Sequence, residues 1–498
     1  MSYAALEEHN RKIAGLRHVE AISAWDEAAM MPAGGGPARG DALATLRGII
    51  HDYATDPRIG EWLGAAEAAA LTPWQAANVR ETRRAYLRET CIPRRLVEAA
   101  SRAESQSEQA WRVLRPTSDW AGFRPLLETV VSLKREVAAA LSAQLGMDAY
   151  DALVDGYEPG AKSQRFASLF AELRAFLPGF IDAVVEKQAR EKAIVPQGPF
   201  AIERQRWLGL TLMKSVGFDF EHGRLDDSHH PFCGGVPTDV RITTRYDERD
   251  FQKSLMGVMH ETGHAKYEQN LPKEWLEQPV GFARGMSVHE SQSLFQEMQV
   301  CRSRAFLSMM APLVRQAFPD AVAREPTAFD DENLHRLATR VRRDFIRVDA
   351  DEATYPCHVV LRFELEKALI DGTLLVRDLP EAWDEGMQSL LGLRVGENHR
   401  DGCMQDVHWP AGLFGYFPTY TLGALTAAQL FAAMVEQHPG VLEAIEQGDF
   451  SAMNAWLRAN VWSQGSLYDT HELIERATGA PLGVQAFRTH LERRYLTD

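Results

Sequence analysis

Apolar residues recur at helical spacing along most of this chain. Between Ala4 and about Ala193, amphipathic stretches cover residues 43–51, 74–89, 93–114, 123–145 and 163–192. Breaker clusters separate them, at Met31-Pro32-Ala33-Gly34-Gly35-Gly36-Pro37, Thr72-Pro73, Ile92-Pro93 and Pro159-Gly160. This first half shows no strand pattern and no internal repeat of fixed period. Alternation by two appears in one place, residues 236–246. There Val240, Ile242, Thr244 and Tyr246 take one face, and Asp239, Arg241 and Thr243 take the other. The pattern predicts a strand, and as an edge strand it would suit an extended peptide held by strand addition.

Directly after it, the spacing predicts a helix over residues 251–270. Phe251, Leu255, Val258 and Thr262 form its buried stripe, Asp247 or Asp250 caps it, and Asn270-Leu271-Pro272 ends it. Further helices are predicted over residues 286–306, 311–318, 333–347 and 357–371, with Glu364 and Glu366 read as exposed charges. Residues 397–417 read as a loop rich in glycine and aromatics, and helices from Thr426 onward close the body. The fold class is mainly α with a small β element. Pro196-Gln197-Gly198-Pro199 marks a boundary between a helical region, 1–195, and a second region, 196–498, unless the chain forms one continuous domain.

Composition narrows the setting. A net charge of −15 argues against nucleic acid or an anionic membrane as the main partner. The five cysteines are scattered without a C-x-x-C pair, which fits a reducing compartment. No signal peptide is evident at the N-terminus, and no run of 18 apolar residues occurs. Together these features point to a cytoplasmic protein.

The chemistry concentrates in the 251–270 helix, at His260-Glu261-Thr262-Gly263-His264. Two histidines four residues apart project from one helical face and reach one tetrahedral metal ion. Glu261 lies about 100° further round the helix, beside that ion rather than on it, where a general base belongs. The same pattern also arises from two satisfied core histidines, so a third ligand is needed. Glu290 is the leading candidate, with Glu268 and Glu297 as rivals, and His289 and Gln292 are placed to orient it. Were the activated water to attack a carbonyl, the developing oxyanion would need a donor, for which His408, Tyr416 and Tyr420 are candidates.

Further marks occur in order: His230-Pro231-Phe232, Asp239-x-Arg241-x-Thr243, His289-Glu290-Ser291-Gln292, Ile346-Arg347-x-x-Ala350-Asp351 and Gly402-x-x-Gln405-Asp406-x-His408-Trp409. With the H-E-x-x-H helix, and with Trp25-Asp26, Met31-Pro32 and Gly35 near the start, the sequence resembles the carboxypeptidase Taq family of metallocarboxypeptidases. The resemblance implies a helical body with a deep central groove, a neurolysin-like zincin architecture and a homodimer. It implies metal-dependent release of single C-terminal residues from peptides that carry a free C-terminus. His260, His264 and Glu290 would hold the metal, which is zinc, with cobalt or manganese also compatible. Glu261 would be the base, Arg347 would bind the terminal carboxylate, and Gln405 and His408 would assist substrate or transition state. A guanidinium suits a carboxylate because it donates two parallel hydrogen bonds, although Arg342, Arg343 and Arg362 are equally basic. His230 and Arg241 would line the groove, unless Arg241 and Asp239 fix the strand to the metal helix. Asp351 would support Arg347 or a ligand histidine. Two other readings share the metal motif: an oligoendopeptidase, and a non-catalytic peptide-binding protein.

Overall fold

The computed structural model describes residues 2–228 and 231–497, so the expectation for His230 lies outside the described residues. Long helices make up the first half: Ser2–Ala29, Gly36–Ala54, Pro73–Cys91, Arg94–Leu114, Trp120–Leu145 and Ser163–Gln188. They begin where the sequence marks a start. Thr72 and Gln75 form a reciprocal capping box ahead of Pro73, and the Asp119 carboxylate accepts from the Gly122 N–H. No helix among the described residues is long and apolar enough to cross a membrane.

The β element has three strands, β1 (Gly223–Asp227), β2 (Phe232–Val236) and β3 (Asp239–Thr244), in the order β1-β3-β2. The expected strand is therefore β3, and it is central rather than an edge. It pairs in parallel with β1 and antiparallel with β2, so both of its hydrogen-bonding sides are taken. Val240 and Ile242 are fully buried, in one apolar cluster with Val258 and Ala265 of the helix Phe251–Gln269. The sheet thus backs the H-E-x-x-H helix, with the side chains the alternation predicts. β1 and β2 lack that signal because Gly-Arg-Leu-Asp-Asp and Phe-Cys-Gly-Gly-Val hold too few β-branched or alternating residues.

Three other expectations change. The helix expected over 333–347 covers only Asp331–Ala338, after which the chain runs irregularly to a 3₁₀ turn at Arg347–Asp349. The stretch 286–306 splits into an α-helix, Met286–Leu294, a wider π-helical turn, Phe295–Cys301, and the start of a further helix, Arg304–Ala317. Glu366 is not an exposed charge; it is fully buried. Its carboxylate accepts from the Tyr150 hydroxyl at 2.5 Å, the Trp409 indole at 3.1 Å and the Gly415 N–H at 3.2 Å, pinning the aromatic loop to the body.

Two large apolar clusters form the core. One includes Phe170, Val360, Trp383 and Phe417, and the other includes Leu255, Met259, Phe295 and Trp456. They meet along the helix Pro418–Gln437, which gives Leu422 and Leu425 to the first and Ala427 and Leu430 to the second. Gly423 of this helix meets Glu290, so the His289-Glu290-Ser291-Gln292 motif lies against this seam.

Candidate active site

The helix Phe251–Gln269 starts at Asp250, whose carboxylate accepts from the N–H groups of Gln252 and Lys253. Two glycines let the helix Met286–Leu294 come close enough to complete the site. A Cβ on Gly263, inside the H-E-x-x-H motif, would sit 2.6 Å from the Ser293 Cα. A Cβ on Gly423, of the helix Pro418–Gln437, would sit 2.8 Å from the Glu290 Cγ. Contacts that close do not occur between ordinary residues, so both positions require glycine. The start of the Glu290 helix is also fixed. The Tyr157 carbonyl accepts from the Met286 N–H at 2.7 Å, and the buried Glu158 carboxylate accepts from the Ser287 N–H at 3.0 Å.

Ligand atoms of His260, His264 and Glu290 consequently lie within 4.8 Å of one another. Oε2 of Glu290 is 3.4 Å from Nε2 of His264 and 4.0 Å from Nε2 of His260. Nitrogen and oxygen ligands about 2.0–2.1 Å from a tetrahedral ion stand roughly 3.4 Å apart, so this trio fits a divalent cation.

The far side of each imidazole is held. Nδ1 of His260 lies 3.0 Å from Oε2 of Glu297, and Arg302 donates to the other oxygen of Glu297 at 2.7 Å. Nδ1 of His264 lies 2.6 Å from Nδ1 of His289, and Nε2 of His289 lies 2.8 Å from Oε1 of Glu268. The protons follow from the end of that chain. A carboxylate only accepts, so His289 carries its proton on Nε2 and accepts on Nδ1. His264 then donates from Nδ1 and keeps the Nε2 lone pair free on the Glu290 side. The two rivals for third ligand, Glu268 and Glu297, are therefore the supports behind the two histidines. Gln292 does not orient Glu290; its amide donates to Ser291 and accepts from the Trp462 indole.

Glu261 is buried and makes no hydrogen bond to the described chain. Burial pushes its carboxyl up to about 7, His260 pulls it down and Glu290 pushes it up. A cation held by His260, His264 and Glu290 would favour its ionised form.

A basic cluster occupies the other side of the seam. Nε and Nη2 of Arg347 donate to Oδ1 of Asp406 at 3.0 and 2.8 Å, and Nη1 donates to the Tyr355 hydroxyl at 2.7 Å. Arg362, fully buried, donates to Oδ2 of the same Asp406 at 2.6 Å. Burial raises the pKa of Asp406, but Arg362 and Arg347 outweigh it and hold the carboxyl well below its usual range. Both sides of the Gln405 amide go to the chain: its oxygen accepts from the Arg347 N–H, and its nitrogen donates to the carbonyls of Phe345 and Asp401. The Asp351 carboxylate closes the turn before the next helix, accepting from the N–H groups of Ala353, Thr354 and Arg342, and holds neither the Arg347 side chain nor a histidine.

Tyr420 stands with its ring 5.0 Å from the Arg347 guanidinium and its hydroxyl 3.1 Å from Nε2 of His408. Burial, then the charge of Arg347, lowers the His408 pKa to about 3, so this imidazole is neutral. Tyr416 packs edge-on against Tyr420 at 5.3 Å. Burial, with a smaller contribution from the charge of Glu290, raises the pKa of Tyr355, Tyr416 and Tyr420. Arg241 is elsewhere engaged: it donates to Asp239 at 2.9 and 2.7 Å and lies over the Trp25 ring at 4.5 Å. Sequence reasoning missed Tyr355 and Asp406. Tyr355 lies eight residues past Arg347 and gave no signal of its own, whereas Asp406 stood unassigned inside a quoted motif.

The sequence profile of the carboxypeptidase Taq (M32) metallopeptidases matches residues 5–495. The chain belongs to this family. It is 42% identical to thermostable carboxypeptidase 1 of Thermus thermophilus over 99% of this chain and 98% of that protein. It is 32% identical to carboxypeptidase 1 of Bacillus subtilis over 97% of this chain and 96% of that one. Among solved structures, Trypanosoma cruzi metallocarboxypeptidase 1 superimposes with a TM-score of 0.97 at 43% identity, over 99% of both chains. The M32 carboxypeptidase of Deinococcus radiodurans does so at 0.93 and 36%, again over 99% of each. The protein is thus a metallocarboxypeptidase, a hydrolase acting on peptides, and its family works with a divalent metal.

For this M32 enzyme the outer supports have a measurable consequence. Glu268→Ala leaves His289 without the acceptor that sets its tautomer. Metal affinity, read by competition with a chelator, should weaken about 10- to 100-fold while the fold persists. Unchanged affinity would show that the Glu268–His289 pair does not act on His264.

Proposed function

We propose that this M32 enzyme removes single residues from the C-termini of peptides, with His260, His264 and Glu290 as metal ligands and Glu261 as general base. Zinc is the proposed ion, because two imidazoles and one carboxylate form one of its usual catalytic donor sets; cobalt and manganese suit the same donors. When bound, the cation supplies Lewis-acid polarisation and makes water more acidic. Glu261, with no hydrogen bond of its own to the chain, accepts a proton from the attacking water and delivers it to the leaving amine. The Tyr420 hydroxyl, oriented by His408, donates to the developing oxyanion, with Tyr416 beside it on the substrate.

One observation carries the exopeptidase reading: two buried arginines share a single carboxylate, in a cluster whose tyrosines feel the charge of Glu290. Arg347, Arg362 and Asp406 together carry one positive charge in excess. Arg347 uses three of its five N–H groups within the chain, which leaves two for a ligand. A peptide's terminal carboxylate supplies both the missing charge and the matching pair of acceptors. Gln405 serves by holding the Arg347 turn. Arg241, for which a substrate contact was expected, pairs with Asp239 of its own strand and lies over Trp25, joining β3 to the first helix. The helices of residues 1–195 form a wall of the groove and residues 196–498 its catalytic part. Five unpaired cysteines fit the cytoplasm, and the family resemblance supports a homodimer.

An oligoendopeptidase would have no use for the excess charge at Arg347. Amidating the C-terminus of a good substrate should therefore slow cleavage at least about 100-fold, because the buried donors are left unpaired. Equal cleavage of the acid and the amide would favour the endopeptidase.

A further inference from the structure

The carboxylate clamp assigned above to Arg347 has a second member, and this inference rests on that assignment. Tyr355 opens the helix Tyr355–Asp371, with Pro356 in the first turn, and its N–H donates to the Asp351 carbonyl at 2.9 Å. Its position is thus set by backbone as well as by packing. The phenol oxygen accepts from Nη1 of Arg347 at 2.7 Å. A phenol has one proton to donate, and a guanidinium accepts none. Among the described residues no group accepts the Tyr355 proton, so a donor stands unpartnered beside the unused N–H groups of Arg347. The ring packs edge-on against Tyr420 at 6.0 Å.

We propose that Tyr355 binds substrate directly, its hydroxyl donating a hydrogen bond to the terminal carboxylate that Arg347 holds. Three donors then face that carboxylate, two from Arg347 and one from Tyr355. A C-terminal amide, bringing N–H groups of its own, would meet donors with donors. Burial, opposed by Arg347 and aided by Glu290, keeps the phenol pKa up at about 12, so the proton is present at working pH.

Tyr355→Phe removes the hydroxyl and keeps the ring. With a free-acid peptide, KM should rise about 10- to 100-fold, and kcat should change by less than about threefold. An N-acetyl amino acid, used as a carboxylate inhibitor, should lose affinity by the same factor. Metal content and thermal midpoint should stay at wild-type values. A merely structural role, in which Tyr355 acts only by steadying Arg347, is separated by a double-mutant cycle with Arg347→Met. Direct contact predicts that Tyr355→Phe weakens the N-acetyl amino acid further in the Arg347→Met background. No further loss there, or no loss in the wild-type background, would overturn the proposal. Arg347→Met keeping full preference for acid over amide, while Tyr355→Phe lowers it, would instead remove Arg347 from the clamp and leave Tyr355 in it.

Discussion

Glu261→Gln is expected to lower kcat by about 10²- to 10⁴-fold, the range in which a positioned general base contributes. The change is nearly isosteric and leaves His260, His264 and Glu290 intact, so metal content measured by atomic spectroscopy should match the wild type. The Glu261 carboxylate takes no hydrogen bond from the described residues, so its replacement breaks none. The wild-type pH profile should carry the same signature. Burial raises this carboxyl towards about 7, and a cation beside it pulls the value back down. The base form accumulates as pH rises, so kcat/KM should climb on the acid side and level off below about pH 7. That limb should vanish from the residual activity of Glu261→Gln. Wild-type turnover in the variant would remove the base assignment.

Glu290→Ala should lose the metal, and activity with it. A direct ligand is worth well beyond the 10- to 100-fold in affinity that an outer partner contributes. No neighbour is free to replace it. Glu297 is held between His260 and Arg302, and Glu268 reaches the site only through His289. Equilibrium dialysis should find the variant essentially metal-free under conditions that load the wild type, with helical content unchanged. Retention of one metal per chain would mean that Glu297 or Glu268 turns inward, and the third-ligand assignment would pass to it.

What the sequence displayed and what it hid divide along physical lines. The H-E-x-x-H pair and the face of β3 were legible because each depends on a period within one element, four residues on a helix or two on a strand. Helix starts were legible where a cap or a proline stood, as at Thr72 and Asp250. Glu290 could only be favoured, because its place depends on how closely two helices approach. Gly263 and Gly423 control that approach, yet a glycine in a helix does not announce its neighbour. Glu366 looked like a surface charge because its partners, Tyr150, Trp409 and Gly415, are remote in sequence. The helix expected through Arg347 ends early because Asp351 and Gln405 hold that stretch in turns by side-chain hydrogen bonds no periodicity reveals. Tyr355 was hidden for the same reason: its role depends on which arginine it meets.

The most direct test of the account is to incubate the metal-loaded enzyme with one N-blocked peptide and follow product masses over time. Stepwise loss of single residues from the C-terminus is the predicted result, as a clamp on the terminal carboxylate requires. A cut inside the peptide, with fragments from both sides of one bond, would contradict the carboxylate clamp and make the protein an endopeptidase built on the same metal site.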